Sequence, residues 1–139
     1  MPATLLHATV VVRDYDEALA FFVGTLGFRL LEDTAVPAQD KRWVLVAPPG
    51  GGASILLARA SDPAQQARIG DQTGGRVGFF LATDDLDRDV AAWRARGVRF
   101  EREPATHAYG RVAVFADLYG NLWDLLELTA EKRAAYGIG

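Results

Sequence analysis

The chain has 139 residues, 50% of them hydrophobic and 24% charged, which suits one compact globular domain with a hydrophobic core. Its net charge is −3, and its 13 Arg and 2 Lys residues are scattered, so the sequence lacks the basic footprint of a nucleic-acid-binding protein. The absence of Cys excludes disulfides, thiolate metal sites and cysteine nucleophiles. No apolar run reaches the roughly 18 residues of a membrane span, and the N-terminus lacks a signal-peptide pattern, so we expect a cytoplasmic protein.

The first half of the chain predicts elements in the order β-α-β-β-β. An apolar run at residues 5–12 predicts a strand. A helix follows, because Asp14 is a good N-cap and Glu17 completes a capping-box spacing. Gly27 supplies the left-handed residue that ends this helix. Three β-rich runs then follow: "FRLLE", "RWVLVAPP" and "ASILLA".

The second half repeats this order at an offset of about 70 residues, which indicates an internal duplication. The segments 13–33 and 83–103 resemble each other, and Asp14 and Asp16 fall on Asp85 and Asp87 at an offset of 71 residues. The run "RVGFFLA" predicts the first strand of this half, with Phe80 on the face of Gly78 and Phe79 under the helix. Either Asp84 or Asp85 caps the helix, and Gly97 ends it.

The sequence thus predicts one α+β domain made of two tandem βαβββ modules, at about 4–60 and 74–128. A short helix at about 62–69, capped by Asp62 with Pro63 at its first position, links them. The tail 129–139 is expected to form a short helix. Two such modules can close their uncovered faces into an eight-stranded, cup-shaped mixed sheet, and a concave apolar surface is where small molecules bind.

Three segments carry a resemblance to a known family: "HATVVVRDYDEALAFFVGTLGF" (7–28), "TDDLDRDVAAWRARGVRF" (83–100) and "FADLYGNLWDLLEL" (115–128). They resemble the vicinal oxygen chelate superfamily, which includes glyoxalase I, bleomycin-resistance proteins and extradiol dioxygenases. The resemblance covers nearly the whole chain. It implies the glyoxalase/bleomycin-resistance/dioxygenase fold and a homodimer, and much less about activity, because this scaffold serves several unrelated reactions.

The resemblance also implies four positions for metal ligands, on the first and last strand of each half. His7 and Asp124 match two of these positions. The other two are Gly78 and either Ile55 or Leu56, which cannot bind a metal. Because open catalytic metal sites use about three protein ligands, the site is incomplete.

Two further residues could complete this site. His107 lies in a predicted loop, "EPATHAYGR" (103–111), from which it could swing inwards. Glu127 is a poor candidate, because strand alternation puts it on the opposite face from Asp124. We therefore expect no cofactor, or at most a weakly bound divalent metal on His7 and Asp124.

His7 and Asp124 have other interpretations besides metal binding. If they meet without a metal they form an acid–base pair, in which Asp124 fixes the imidazole tautomer and raises its pKa. Such a pair could transfer protons as a pair of catalytic residues, or could be a structural polar bridge. Separately, His7 could be a half-buried core histidine, and Asp124 could reach solvent at a strand edge.

Several side chains are candidates for lining the ligand site. Gly78 removes bulk from a strand, which leaves room for a ligand or for close backbone approach. Arg111 and its repeat equivalent Arg42 could bind an anion, although such residues are more often solvated edge charges. The predicted ligand-binding residues are Trp43, Gly78, Phe80, Tyr109, Arg111 and Phe115.

Three functions follow from these observations, in order of preference. The first is a metal-poor protein that binds a small, partly apolar or aromatic molecule, as in sequestration or resistance. The second is a metal-dependent lyase, isomerase or dioxygenase that uses His7 and Asp124. The third is a metal-free enzyme that uses the same pair for proton transfer. The expected partners are a small molecule and a second copy of the chain, with neither nucleic acid nor membrane.

Overall fold

The computed structural model describes residues 2–139, and contacts divide this chain into two compact units after Gln72. The first unit contains β1 (His7–Val12), α1 (Tyr15–Leu19), β2 (Arg29–Val36), β3 (Lys41–Ala47), β4 (Ser54–Arg59) and α2 (Pro63–Gln66). The second contains β5 (Val77–Ala82), α3 (Leu86–Ala95), β6 (Arg99–His107), β7 (Gly110–Ala116), β8 (Leu122–Leu128) and α4 (Ala130–Ala135).

Each unit forms one four-stranded mixed sheet with the same topology. The strand orders are β1-β4-β3-β2 and β5-β8-β7-β6. The first strand of each unit pairs in parallel with the last, and the remaining pairs are antiparallel. The duplication predicted from sequence is therefore repeated in the strand pairing, and the α+β class with two tandem βαβββ modules is confirmed.

The helix boundaries follow the capping signals in the sequence. The Asp14 carboxylate accepts the backbone N–H of Glu17 at 2.8 Å, which starts α1. Asp85 rather than Asp84 caps α3, and Asp62 caps α2 with Pro63 at its start. α1 continues as a π-helical segment, Ala20–Thr25, and the chain leaves it through Gly27 at a φ of +79°.

Alternation along the strands separates a core under each helix from a second face. In the second unit, Trp93 of α3 packs edge-on against Phe115, and Phe79 stacks on Trp123 at 4.4 Å between ring centres. In the first unit, fully buried residues from β1, β3 and β4 alternate with less buried ones. These fully buried residues are Val10, Val12, Val44, Val46 and Leu57. The sheet face opposite the helix is called the helix-free face of each unit.

Two sequence expectations need correction at the level of the fold. His107 is not in a mobile loop: it is the last residue of β6 and pairs with Gly110 across a tight hairpin. The linking helix is also shorter than predicted, four residues instead of eight. Among residues 2–139, no helix is both long and apolar enough to cross a membrane.

Candidate functional site

A row of four side chains crosses the helix-free face of the second unit. Strand register places Phe80 opposite Asp124, Asp124 opposite Val114, and Val114 opposite Arg102. Partners in register share one face of a sheet, and neighbouring strands lie about 4.8 Å apart. An aromatic ring, a carboxylate, an aliphatic side chain and a guanidinium thus lie side by side.

A cleft of about 600 Å³ opens on this face, which is within the size range of small-molecule sites. Phe80 and Arg102 line it from the two edge strands, and Val114 and Leu122 form its floor. The Phe80 side chain is 63% exposed. An aromatic ring held in a rigid strand with most of its surface in water is a ready contact for a planar ligand. Gly75, Arg76, Val77 and Glu101 complete the lining.

Asp124 stands between two of the residues that line the cleft. Burial raises the pKa of its carboxyl group, and the positive charge of Arg102 partly offsets that effect. Among residues 2–139, the Asp124 side chain has no hydrogen-bond or ion-pair partner. The protein thus holds a partly desolvated acceptor on this face without satisfying it, which is typical of functional positions.

His7 begins β1, opposite Ser54, on the helix-free face of the first unit. Its Nδ1 atom is buried and has no hydrogen-bond partner among the described residues. An unsatisfied buried nitrogen costs free energy, which a bound group could recover. The prediction that His7 acts together with Asp124 concerns two residues of different units and stays a prediction.

The register resolves which residue of the first unit is equivalent to Asp124. Asp124 faces Phe80, whose repeat equivalent is Thr9, and Thr9 faces Leu56. Leu56 rather than Ile55 therefore holds the fourth metal position of the resemblance. Among residues 2–139, no three His, Asp or Glu side chains lie close enough together to hold a metal ion. The residues present do not fit the metal site of the resemblance.

Glu127 has the structural role that strand alternation suggested. Its carboxylate accepts the backbone N–H of Leu86 at 2.9 Å, at the start of α3. This contact puts Glu127 on the helix-covered face, whereas Asp124 lies on the helix-free face. It ties the first turn of the helix to the last strand and leaves Glu127 unable to serve the site.

Gly78 has a structural explanation. A Cβ atom at this position would lie 2.7 Å from the Cγ2 methyl of Thr73, so a larger residue here would require the Thr73 side chain to shift. The sequence predicted either ligand space or close backbone approach, and the close neighbour found is instead a side chain, so the ligand-binding role of Gly78 stays a prediction. The strand also bulges here, between Val77 and Phe79.

Phe115 and Arg111 were predicted to line the ligand site, and the structure places both on the helix-covered face. Phe115 is fully buried and packs against Trp93 and Trp123 in the core. The Arg111 guanidinium makes two hydrogen bonds, both 3.0 Å long, to the carboxylate of Asp87 on α3. Arg111 is therefore a structural charge that joins a strand to the helix.

The first unit contains the same kind of contact between a strand arginine and a helix carboxylate, with more hydrogen bonds. Arg42 makes hydrogen bonds to Asp16 at 2.9 Å and to Asp33 at 2.7 and 3.0 Å. Hydrogen bonding from Arg42 holds the pKa of the Asp33 carboxyl group below its usual value. Arg111 does the same to Asp87. The repeat-equivalent pairs Arg42–Asp16 and Arg111–Asp87 thus fasten the first helical turn to the sheet in both units.

The remaining predicted ligand-binding residues are divided between the two units. Trp43 shares a strand face with Leu45, is half-buried, and lies on the helix-free face of the first unit. Tyr109 occupies the β6–β7 turn, where its ring stacks on that of His107 at 5.2 Å and an angle of 5°. Neither residue lies among those that line the cleft of the second unit.

Asp117 is an important carboxylate that the sequence reasoning missed. It is 5% exposed and accepts hydrogen bonds from the backbone N–H groups of Tyr119, Gly120 and Asn121. Its second oxygen accepts from the Asn121 amide and from the Trp123 indole. The signal was an Asp three residues before the Gly of a Gly-Asn turn, a common turn-stabilising position. Asp117 fixes the entry to β8 and hence the position of Asp124.

Comparison with known proteins gives consistent matches over almost the whole chain. Residues 4–125 match the model of the Glyoxalase/Bleomycin resistance protein/Dioxygenase superfamily. An uncharacterized protein of Shewanella frigidimarina (strain NCIMB 400) is 56% identical over 133 residues, covering 95% of this chain and 98% of its own.

Two solved structures share both fold and sequence with this chain. The crystal structure of TnmS3, an antibiotic binding protein from Streptomyces sp. CB03234, matches with a TM-score of 0.75 and 33% identity, covering 92% of this chain and 98% of its own. That of UcmS2 matches with a TM-score of 0.79 and 28% identity, covering 91% and 99%.

Proposed function

Because the chain belongs to the glyoxalase/bleomycin resistance protein/dioxygenase superfamily, we propose that it binds a small, partly apolar or aromatic molecule on the helix-free face of the second unit. The observation that carries this proposal is the exposed Phe80 ring at one wall of the cleft. TnmS3, which is named as an antibiotic binding protein, gives further support. The proposed role is sequestration rather than turnover.

A screen of neutral indole and naphthalene derivatives by thermal shift tests this proposal. A compound that binds only the native state must raise the melting temperature. We expect stabilisation of the native protein, and loss of that stabilisation in Phe80→Ala. Tyr136→Ala is the matched control, since Tyr136 is a 61% exposed aromatic residue on the C-terminal side of α4, outside the cleft lining. Equal effects of the two substitutions, or stabilisation by none of the compounds, would contradict the proposal.

We propose further that catalysis by a bound metal is not the function. The support is the presence of Leu56 and Gly78 at two of the four positions of the resemblance. Adding Zn²⁺, Ni²⁺, Mn²⁺ or Fe²⁺ is expected to leave the melting temperature unchanged. A saturable rise in melting temperature with one of these ions, lost in both His7→Ala and Asp124→Asn, would instead favour a metal-dependent enzyme.

Proton transfer by His7 is a second candidate function, because its buried Nδ1 atom has no partner among the described residues. A turnover found in the compound screen and abolished in His7→Gln, with binding retained, would favour this enzyme over a sequestering protein.

The predicted homodimer is likewise a proposal, and light scattering of the protein as it elutes from a size-exclusion column tests it. A mass near twice 15.1 kDa is expected.

A further inference from the structure

The arginines of the second unit differ in whether they have partners. Residues 73–139 contain eight arginines, and six of them have a hydrogen-bonded, ion-paired or other contacting partner within the described residues. These six are Arg88, Arg94, Arg96, Arg99, Arg111 and Arg133. The other two, Arg76 and Arg102, make no side-chain hydrogen bond or ion pair within the described residues, although the Arg102 charge acts on the Asp124 carboxyl group.

Both of these arginines line the cleft. The one acidic residue of the lining, Glu101, is engaged by Arg99 at 2.6 Å and does not neutralise either of them. The lining of the cleft therefore carries two arginines without a hydrogen-bonded or ion-paired carboxylate, in a protein whose net charge is −3. Guanidinium groups bind carboxylates through paired N–H donors, so these two residues are suited to an anionic group.

The row of side chains Phe80, Asp124, Val114 and Arg102 determines where a bound anionic group would lie relative to the Phe80 ring. Phe80 lies on β5 and Arg102 on β6, at opposite edges of the four-stranded sheet. The two edge strands are three strand spacings apart, about 14 Å between backbones. Arg102 has a long side chain, and it lines the same cleft as Val114, its register partner on the next strand. A molecule that stacks on Phe80 and extends over Val114 would present its far end to Arg102.

Resting on the proposed function, we infer that this cleft selects aromatic molecules that bear a carboxylate, with Phe80 as the ring contact and Arg102 and Arg76 as the charge partners. Asp124, between ring and guanidinium, disfavours a second anionic group at the middle of the ligand and favours a hydrogen-bond donor there. The cleft therefore discriminates by where the negative charge lies on the molecule as well as by the presence of a ring.

Three probes of equal length separate charge from ring recognition: 3-phenylpropanoate, its neutral amide 3-phenylpropanamide, and the cation 3-phenylpropylamine. Affinities are measured with the full chain by following ¹H–¹⁵N chemical shifts during titration. We expect 3-phenylpropanoate to bind about ten-fold more tightly than the amide, a typical effect of one charge-assisted hydrogen bond. The amine is expected to bind more weakly than the acid.

Arg102→Gln and Arg76→Gln should each reduce the preference for the acid over the amide while leaving binding of the amide unchanged. Arg94→Gln is the matched control, because it removes the same charge from an arginine that pairs with Glu103 outside the cleft lining. Phe80→Ala should weaken all three probes to a similar extent.

Equal binding of acid and amide to the native protein would overturn the inference, as would an equal loss in Arg94→Gln and Arg102→Gln. If the amide binds as well as the acid and Phe80→Ala weakens both, the proposed function survives and only the charge selection fails. If none of the probes binds and the neutral indole and naphthalene derivatives also fail to bind, the proposed function fails with it.

Discussion

Asp124 lies opposite Phe80 in the register of the second sheet, so that a partly desolvated carboxylate and a 63% exposed aromatic ring are neighbours on one face. The equivalent positions of the first sheet hold Thr9 and Leu56. The duplicated framework thus carries different chemistry in its two copies. The polar groups that would build a symmetric metal site are missing from the described residues, and the second copy instead has a cleft with a ring and unpaired charges.

Replacing Asp124 by Asn should not destabilise the protein. Burial raises the pKa of this carboxyl group, so the folded state disfavours its ionised form. Relative to the variant, the native protein should therefore lose stability as pH rises from the ordinary carboxyl value of 3.8 through the raised folded pKa. Urea unfolding across this pH range should show a gain in the variant at neutral pH of less than about 1 kcal/mol. A clear loss of stability at neutral pH would mean that Asp124 has a structural partner.

Replacing Asp117 by Ala, in contrast, should destabilise the protein. This carboxylate is almost fully buried and accepts five hydrogen bonds that shape the turn into β8. Their loss leaves buried donors unsatisfied, and we expect the free energy of unfolding to fall by about 3 kcal/mol. Asp124→Asn, which changes a carboxylate on β8 just after this turn, is the control. A loss below roughly 1 kcal/mol would show that water replaces the carboxylate without strain.

The two equivalent arginines should differ in their contribution to stability. Arg42 pairs with both Asp33 and Asp16, whereas Arg111 pairs with Asp87 alone. Arg42→Gln should therefore lower the free energy of unfolding by about 0.5 to 1 kcal/mol, and Arg111→Gln by less. Since Arg42 holds the pKa of Asp33 below 3.8, this contribution is present above that pH and is lost as pH falls through the lowered pKa. Equal losses in the two variants, at low and high salt, would refute this ranking.

Two glycines should respond differently to the same substitution. A Cβ atom at Gly110, where φ is +136°, would lie 2.2 Å from the backbone oxygen of Glu127. Gly110→Ala should therefore cost more than about 2 kcal/mol, because backbone must move. Gly78→Ala meets only the Thr73 methyl at 2.7 Å, so its smaller cost should be relieved in the double variant with Thr73→Ser. Thermal unfolding of the single and double variants measures both effects, and a destabilised double variant would point to another cause.

Local signals in the sequence predicted the fold well. The Asp caps at Asp14 and Asp62, the terminating glycines and the separation of Phe79 from Phe80 all depend on neighbouring residues, and each was predicted from them. Phe115 was predicted on the wrong face of the sheet, because alternation along β7 shows which residues share a face but not which face meets the helix. The pairing of Val114 with Asp124 decides that, and this pairing spans two strands. That Arg102 and Arg76 lie in the cleft lining without a hydrogen-bonded partner could not be predicted for the same reason.

The most direct test of a ligand site on the second sheet is a ¹H–¹⁵N chemical-shift map recorded with saturating 3-phenylpropanoate, or with a compound that stabilises the protein in the thermal-shift screen. We expect the largest shift changes at the backbone amides of Phe80, Arg102, Val114 and Leu122, which line the cleft, and of Asp124 between them. We expect little change at the core residues Phe115 and Trp93. Changes confined to the first unit, around His7 and Trp43, would contradict a ligand site on the second sheet.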